Sequence, residues 1–297
     1  MLGNWRQSAA ALVGVVLIAL LPSFAAQRNP PAWSVRWQPQ RPVNGSPVVF
    51  QVTSLARLDA LSGKWLDHDV FFSFDPRSRS WFGIAGVSLE TRAGKYELAL
   101  EGKTDAGKML SWQKSILVAK ASYHQIVIRV PAKFTEPSPE QQQEIKADQS
   151  LKHDVFSTTN AQKEWSGSFL PPVDATISDV FGTTRTFNGK TQSVHQGLDY
   201  GVPQGTPVAA LNRGKVLLAR PLFFEGNCVV LDHGQGLLTI YMHLSKFEVK
   251  EGEQVARGQE IALSGGTGRA TGPHLHVAVR WEGIYLNPAT LLSLKLP

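Results

Sequence analysis

The stretch Thr271-Gly-Pro-His-Leu-His-Val-Ala-Val279 decides how the surrounding chain folds. Side chains one residue apart share a face only in an extended backbone, because successive side chains of a strand alternate between its two faces. His274 and His276 therefore share one side of a predicted strand, and the aliphatic residues that alternate with them share the other. We expect the aliphatic side to enter a core. The imidazole pair indicates a metal site or a catalytic dyad, with two buried core histidines as the alternative.

The composition describes a globular chain with a modest excess of positive charge. Of 297 residues, 42% are hydrophobic and 18% are charged, which excludes a disordered protein and allows two domains of ordinary size. Lys and Arg number 30 against 24 Asp and Glu, a balance that suits a polyanionic surface. No basic cluster with interleaved aromatic residues occurs, so we expect no nucleic-acid partner. The sole cysteine, Cys228, cannot form an internal disulfide, and packing must hold the fold.

The first residues have the layout of a secretory signal peptide. An apolar run over residues 9–21 follows Arg6, and the small residues Ser23 and Ala25 end it at positions suited to cleavage. The run is shorter than the roughly 20 residues that a membrane span needs. We therefore predict a signal peptide over residues 1–26 and an exported protein. An uncleaved signal anchor is the alternative.

Residues 32–134 show a two-residue hydrophobic period. Stretches such as 96–100 alternate apolar with polar or small residues, and turn signals such as Asn44-Gly45 separate them. Short strands at this spacing predict an immunoglobulin-like β-sandwich. Its isolated histidines, His68 and His124, are expected to be structural. Support, targeting and gating all stay open as roles for this domain.

Residues 135–168 form a predicted linker with a helix. Ser138 is placed to cap this helix, with Pro139 at its first position. Few apolar residues follow, which favours a solvated helix. His153, at the far side of the linker, is expected to be solvated, although it could also reach back over a metal site as a masking ligand.

The second domain, predicted over residues 169–297, is also all-β and holds five of the eight histidines. His195 and Asp199 lie four residues apart on one extended stretch, and the intervening glycine argues against a helix. Neutral imidazole and carboxylate suit zinc, and three protein ligands with an open fourth position define a catalytic zinc site. The residues alone leave open whether His274 or His276 is the third ligand. His243 and the remaining histidine of that pair can then move protons.

The segment from about Phe181 to Leu292 resembles the lysostaphin/LytM-type zinc endopeptidases, which cut peptide bonds in bacterial peptidoglycan. The motifs that carry the resemblance occur in order over this segment: Phe181-Gly182 with Arg185, His195-Gln-Gly-Leu-Asp199, Gly205-Thr-Pro-Val208, Tyr241-Met-His-Leu-Ser245, Gly258-Gln-Glu-Ile-Ala262, Gly265-Gly-Thr-Gly268, Thr271-Gly-Pro-His-Leu-His276 and Asn287-Pro288.

The resemblance implies an antiparallel β metallopeptidase domain in which His195, Asp199 and His276 bind zinc. It also implies that His243 and His274 are the catalytic pair. Some members of the family have lost ligands and only activate other wall enzymes, but here all five positions hold the expected residue types. The resemblance therefore favours an active enzyme.

We accordingly predict an exported zinc endopeptidase that cleaves cross-links or stem peptides of peptidoglycan. Its location would be the periplasm, the cell envelope or the extracellular space, and its state a monomer, with an envelope protein partner open for the N-terminal domain. The alternative is a catalytically silent, wall-binding regulator of another cell-wall hydrolase.

Overall fold

Two four-stranded antiparallel sheets build the first part of the computed structural model, which describes residues 33–157, 160–189 and 191–297. The predicted signal peptide at 1–26 lies outside the described residues. The described residues form one compact unit, and the predicted all-β class is confirmed. Among the described residues, no helix is both long enough and apolar enough to cross a membrane.

The first eight strands form the two sheets. One sheet has the order β1-β2-β6-β5 and the other β4-β3-β7-β8. The sheets meet where the Phe50 and Trp65 rings lie 5.6 Å apart, and Trp65 Nε1 donates to the Gly86 carbonyl across 2.9 Å. These strand orders match those of an immunoglobulin constant-type sandwich with β4 added beside β3, but the immunoglobulin-like assignment stays a prediction. The strands are β1 (Trp33–Gln38), β2 (Pro47–Ser54), β3 (Leu58–Trp65), β4 (His68–Phe71), β5 (Ser73–Asp75), β6 (Ser80–Gly86), β7 (Gly94–Thr104) and β8 (Met109–Val118).

A connecting segment follows, with strand β9 (Gln125–Ile128), a short 3-10 turn at Ala132–Phe134 and helix α1 (Pro139–Phe156). Ser138 caps α1 through the Gln141 backbone N–H, and Pro139 occupies its first turn, as predicted. Strand β9 joins neither sheet of the sandwich. It pairs in parallel with β11, described below, so the segment belongs structurally to the second part of the chain.

Helix α1 is docked on one side. None of its residues is fully buried, which agrees with the predicted solvated helix, yet Leu151, Val155 and Phe156 pack against a buried cluster of the second part. Lys152 Nζ lies 2.5 Å from Glu225 Oε1, and Asp148 Oδ2 accepts from the Phe223 backbone N–H across 2.6 Å. The solvated helix therefore also packs against the second part of the chain, through apolar residues that are confined to its last two turns.

The second part is built on a large antiparallel sheet. Its main path is β10-β13-β20-β17-β16-β15-β18, and β11 and β12 form a separate small sheet with β9. The elements are β10 (Ile177–Asp179), β11 (Thr184–Phe187), β12 (Thr191–Val194), β13 (Gly197–Tyr200), β14 (Pro207–Ala209), β15 (Gly214–Leu222), β16 (Gly226–Asp232), β17 (Leu237–Phe247), β18 (Gln254–Val255), β19 (Glu260–Ser264), β20 (Leu275–Trp281), β21 (Ile284–Leu286) and α2 (Pro288–Ser293).

Strand β20 lies between β13 and β17 and is the strand predicted from residues 274–279. The side chains of Leu275, Val277 and Val279 are at most 1% exposed, so the aliphatic face enters the core as predicted. The predicted three-part division of the chain stays a prediction.

His233 is a fully buried structural histidine directly after β16. Its Nδ1 donates to the Arg213 carbonyl across 2.7 Å, its Nε2 lies 2.7 Å from Thr239 Oγ1, and the Phe169 ring packs edge-on against it. Burial lowers the pKa of His233 to about 4 from the ordinary value of 6.5. The folded protein therefore holds this imidazole neutral.

We predict that His233→Gln makes the free energy of unfolding depend less steeply on pH at acidic pH. In the native chain, the unfolded state binds a proton near pH 6.5 and the folded state does so only near 4, so stability present above pH 6.5 is lost as the pH falls through this window. The slope of unfolding free energy against pH should be steeper in the native protein by up to about 1.4 kcal/mol per pH unit. Chemical denaturation at several pH values checks this, and parallel profiles would refute it.

Candidate metal centre and histidine pair

Strand register brings together three donor side chains. Strands β13 and β20 run antiparallel with Asp199 directly opposite His276, and His195 lies two residues before β13. His276 Nδ1 is 2.7 Å from Asp199 Oδ1, and His195 Nε2 is 3.1 Å from the same oxygen. The two imidazole nitrogens are 3.0 Å apart. Two nitrogens and one oxygen thus converge on one point.

Outer hydrogen bonds fix the orientation of these donors. His195 Nδ1 donates to the Val180 carbonyl across 2.9 Å, so its Nε2 is the nitrogen left for a ligand. Arg185 donates to Asp199 Oδ2, which leaves Oδ1 to face the imidazoles. Arg185 is itself held by Asp179 Oδ2, at 2.9 Å from its Nε and 2.6 Å from its Nη2. Asp179 thus holds Arg185, and Arg185 holds the Asp199 carboxylate, an arrangement that we call the clamp on Asp199.

The donor set fits a metal ion. All three residues are buried, with 3–7% exposure, and their donor atoms lie within 4.8 Å of one another. For bonds of about 2.0–2.2 Å in a tetrahedral site, donors lie roughly 3.3 Å apart, close to the spacing found here. Two imidazoles and a carboxylate are also the ligand types of hydrolytic metal sites. The sequence-predicted trio is brought together; whether it binds the metal stays a proposal.

The ionisation of the trio agrees with this reading. Burial alone would raise the pKa of Asp199, but hydrogen bonds from His195 and His276 and the charges on these rings outweigh it and hold the pKa well below its ordinary value. Burial lowers the pKa of His276, although its hydrogen bond to Asp199 opposes that shift. The trio therefore offers a carboxylate and a neutral imidazole, the forms in which these side chains bind metals.

His243 reaches the site because β17 has a bulge. Asn227 pairs with Leu244 and Val229 with Tyr241, so the one intervening residue of β16 faces both Met242 and His243. His243 has a positive φ of 61°, as expected where an extra residue is accommodated. Consecutive side chains, Met242 and His243, consequently line the same cavity, which an unbroken strand would forbid.

The bulge also separates His243 from Tyr241. Ordinary alternation predicts that these two side chains share a face, and a buried core aromatic is the favoured interpretation of Tyr241, with a hydrogen bond at the site as the alternative. Tyr241 is fully buried, and its hydroxyl accepts from the Leu211 backbone N–H across 2.8 Å. The interpretation as a core residue is therefore confirmed.

His274 completes a second histidine pair beside the trio. The His243 and His274 rings are 4.7 Å apart, and His274 Nε2 lies 4.0 Å from Asp199 Oδ1. His243 Nδ1 donates to the Thr267 carbonyl and His274 Nδ1 to the Gly272 carbonyl, each across 2.8 Å. Among the described residues, the Nε2 atom of each ring has no protein donor or acceptor at hydrogen-bond distance. Burial, followed by the nearby charges of His274 and His276, lowers the pKa of His243 to about 3.

Two cavities flank the site. One, of about 150 Å³, is lined by His195, His243 and His276, and the other, of about 390 Å³, by Asp199 and His274. Strand β9 forms part of the wall of the larger cavity, and the Phe134 ring packs 5.5 Å from Phe223 nearby. His153 is exposed on α1 and does not belong to the trio.

Sequence reasoning missed the clamp on Asp199. The motifs include Arg185 without indicating its role, and no sequence pattern marks Asp179. An Asp, a short turn and an Arg ahead of the first ligand carry no periodic signal, so only the fold shows that both side chains converge behind Asp199.

Residues 193–288 match the model of peptidase family M23. This part of the chain is an M23 domain. The chain is 44% identical over 108 residues to the peptidoglycan DD-endopeptidase ShyA of Vibrio cholerae, a match that covers 36% of this chain and 24% of ShyA. It is also 40% identical over 136 residues to the DD-carboxypeptidase/endopeptidase Mpg of Neisseria meningitidis, covering 46% of this chain and 31% of Mpg. The matches thus span less than a third of the length of either relative.

A solved structure extends the likeness beyond the M23 domain. A putative peptidase M23 from Pseudomonas aeruginosa superposes with a TM-score of 0.63 and 28% identity, covering 85% of this chain and 95% of that one. The metallopeptidase family predicted from the motifs is confirmed. Another relative is named as an uncharacterized metalloprotease of Haemophilus influenzae.

We predict that Gly197→Ala damages the candidate metal centre although it replaces none of the three donor residues. A Cβ at residue 197 would lie 2.5 Å from His276 Nε2 and closer still to the Val277 carbonyl oxygen. Metal affinity should fall by about 10- to 100-fold, since the ring must move, and the free energy of unfolding by about 1–3 kcal/mol. Competition with a metal-binding dye and chemical denaturation measure the two effects.

Gly201→Ala is the matched control, on the same stretch of chain. A Cβ there would meet only the Ser178 side chain, at an ordinary 3.8 Å. Metal affinity should be unchanged within about 2-fold. Equal losses in both variants would show that the space behind the His276 ring is not the cause.

Proposed function

We propose that this protein is an exported, zinc-dependent endopeptidase that hydrolyses peptide bonds in the cross-links or stem peptides of bacterial peptidoglycan. The observation that carries the proposal is the placement of a buried His195/Asp199/His276 donor set directly beside the His243/His274 pair, with cavities open on both sides. The relatives ShyA and Mpg, named for DD-endopeptidase activity, support peptidoglycan as the substrate.

In this proposal His195 Nε2, Asp199 Oδ1 and His276 Nδ1 hold the zinc ion. Their nitrogen and oxygen donors match the borderline softness of zinc, and three protein ligands leave a position for substrate or water. The chemistry that zinc supplies when bound is that of a Lewis acid, which polarises the scissile carbonyl and acidifies water. Arg185 keeps Asp199 in its ligating orientation.

The two remaining histidines supply proton transfer and charge stabilisation. His243 and His274 are each anchored through Nδ1 to a backbone carbonyl, which fixes the tautomer and points Nε2 away from that anchor. One of them takes the proton of the attacking water as the new bond forms. The other stabilises the oxyanion or protonates the leaving amine. The bulge and the Gly272 turn hold the two rings in place before substrate arrives.

Export and location follow from the substrate and the N-terminal sequence. Peptidoglycan lies outside the cytoplasm, and residues 1–26 have the pattern of a secretory signal. We place the protein in the periplasm, in the envelope or outside the cell, as a monomer. The N-terminal sheets are available to contact an envelope protein.

We predict different defects for the two histidines of the His-Leu-His motif. His276→Ala should lose most bound zinc and all measurable hydrolysis, because it removes a ligand. His274→Ala should keep about one zinc per chain yet hydrolyse peptidoglycan at least about 100-fold more slowly, because it removes only proton transfer or oxyanion stabilisation. Zinc content is measured by elemental analysis, and released peptides are identified by mass spectrometry.

His153→Ala is the control, since this histidine is exposed on α1 and outside the donor set. It should retain both zinc and turnover. Native protein that binds zinc but releases no peptides from peptidoglycan would contradict the endopeptidase and support the silent regulator of another hydrolase.

A further inference from the structure

The Arg269 side chain carries a cation that lies over two aromatic rings at the edge of the site. It lies in the loop between β19 and β20. Its guanidinium carbon is 4.5 Å from the centre of the Phe187 ring and 4.7 Å from that of Phe224. Rings on which a guanidinium stacks limit its movement but leave its N–H groups, which lie in its own plane, free to donate.

The side chain borders both cavities beside the candidate metal centre. Arg269 and His243 line the smaller cavity together with His276, and the same two residues line the larger one together with His274. A peptide that occupies either cavity next to the histidines therefore also passes Arg269.

The guanidinium of Arg269 makes no hydrogen bond or ion pair among the described residues, although the charge of Glu225 acts on it. The other charged groups near it are bound elsewhere, except for Glu225 Oε2, which is buried without a hydrogen-bond partner among the described residues. Arg185 is bound to Asp179 and Asp199, and the Glu225 carboxylate is bound to Lys152 at 2.5 Å. Burial lowers the pKa of Arg269, which shows that its surroundings are poorly solvating for a cation. Burying a guanidinium without a partner costs free energy, and a ligand of negative charge would offset that cost.

The loop that carries Arg269 is fixed in place. The Arg269 backbone N–H donates to the Phe224 carbonyl across 2.8 Å, and Thr267 Oγ1 accepts from the Asn227 N–H across 2.9 Å. A Cβ at residue 268 would collide with the Gly226 backbone. The loop between β19 and β20 and the turn between β15 and β16 therefore pack at the closest spacing that glycine permits. The guanidinium is thus pre-organised before any ligand binds, which lowers the entropic cost of recognition.

We propose that Arg269 determines specificity by binding a free carboxylate of the substrate peptide close to the scissile bond. The substrate class is then an acidic peptide, and not a peptide in which that carboxylate is amidated. A planar guanidinium with several coplanar donors matches a carboxylate. Arg185, the other arginine that lines the cavities, is already bound to Asp179 and Asp199. This inference rests on the proposed peptidase function.

The test crosses protein variants with substrate variants. Synthetic cross-linked stem peptides are prepared in which each free carboxylate in turn is replaced by a carboxamide, and kcat/KM is measured for the native full chain and for Arg269→Gln. For one carboxylate, amidation should lower kcat/KM of the native protein by on the order of 10- to 100-fold, the range expected for loss of a charged hydrogen bond. In Arg269→Gln the same amidation should change kcat/KM by less than about 3-fold, because the charged partner is already absent.

Two further variants separate recognition from a purely structural role of Arg269. Arg269→Lys keeps the charge without the planar fork and should retain part of the preference for the acid. Arg220→Gln removes an exposed arginine already paired with Glu251, and it should preserve the full preference. If Arg269 only supports the wall of the cavities, its substitution would lower kcat/KM on the acid and on the amide alike, and the ratio of the two values would stay unchanged.

The outcomes distinguish this inference from the proposed function. Native protein that cleaves every acid and amide pair at equal rates would overturn the role of Arg269 while leaving the endopeptidase intact. Native protein that cleaves none of the peptides, or peptidoglycan, would overturn the function itself. If Arg269→Gln does not fold, the ratio of kcat/KM on the acid to kcat/KM on the amide is compared between the native protein and Arg269→Lys. Equal ratios would show that positive charge alone sets the preference and would refute recognition by the planar guanidinium.

Discussion

The site depends on the antiparallel register of β13 against β20. This register sets Asp199 opposite His276, and a shift of one residue would turn one of these side chains into the core. The buried aliphatic face of β20 holds the register, because Leu275, Val277 and Val279 leave no alternative orientation for the strand. Core packing on one face thus determines where the donors lie on the other.

Around this pair of strands, each further component is positioned by an interruption of regular structure. The bulge in β17 turns His243 toward the site, the turn at Gly272 positions His274, and the absence of a side chain at Gly197 leaves room for the His276 ring. The clamp from Asp179 through Arg185 fixes the Asp199 carboxylate, and Asp179 lies opposite Asp199 in the β10–β13 pair, whose register shifts between Ile177 and Asp179. The regular part of the sheet therefore makes the site rigid, and its irregular positions place the side chains that form the site.

This division explains what the sequence could and could not predict. Two-residue periodicity is a property of neighbouring residues, so β20 and the all-β class could be predicted from it. The ordered motifs led to the lysostaphin/LytM-type endopeptidases. The side of the strand on which His243 lies depends on a residue of β16 facing two residues of β17, a pairing that no local pattern reveals. The docking of α1 likewise depends on partners about 70 residues away, such as Glu225 for Lys152. The predicted ligand and catalytic assignments rest on the family resemblance, and they stay proposals.

The most direct test of the account is X-ray diffraction from zinc-soaked crystals, recorded on both sides of the zinc absorption edge. The account predicts one strong anomalous peak within about 2.0–2.2 Å of His195 Nε2, Asp199 Oδ1 and His276 Nδ1. The nitrogens of His243 and His274 should lie beyond bonding distance of that peak. A zinc ion bound by His243 or His274 in place of any of the three, or no peak in this groove, would contradict the central claim that strand register builds the metal site.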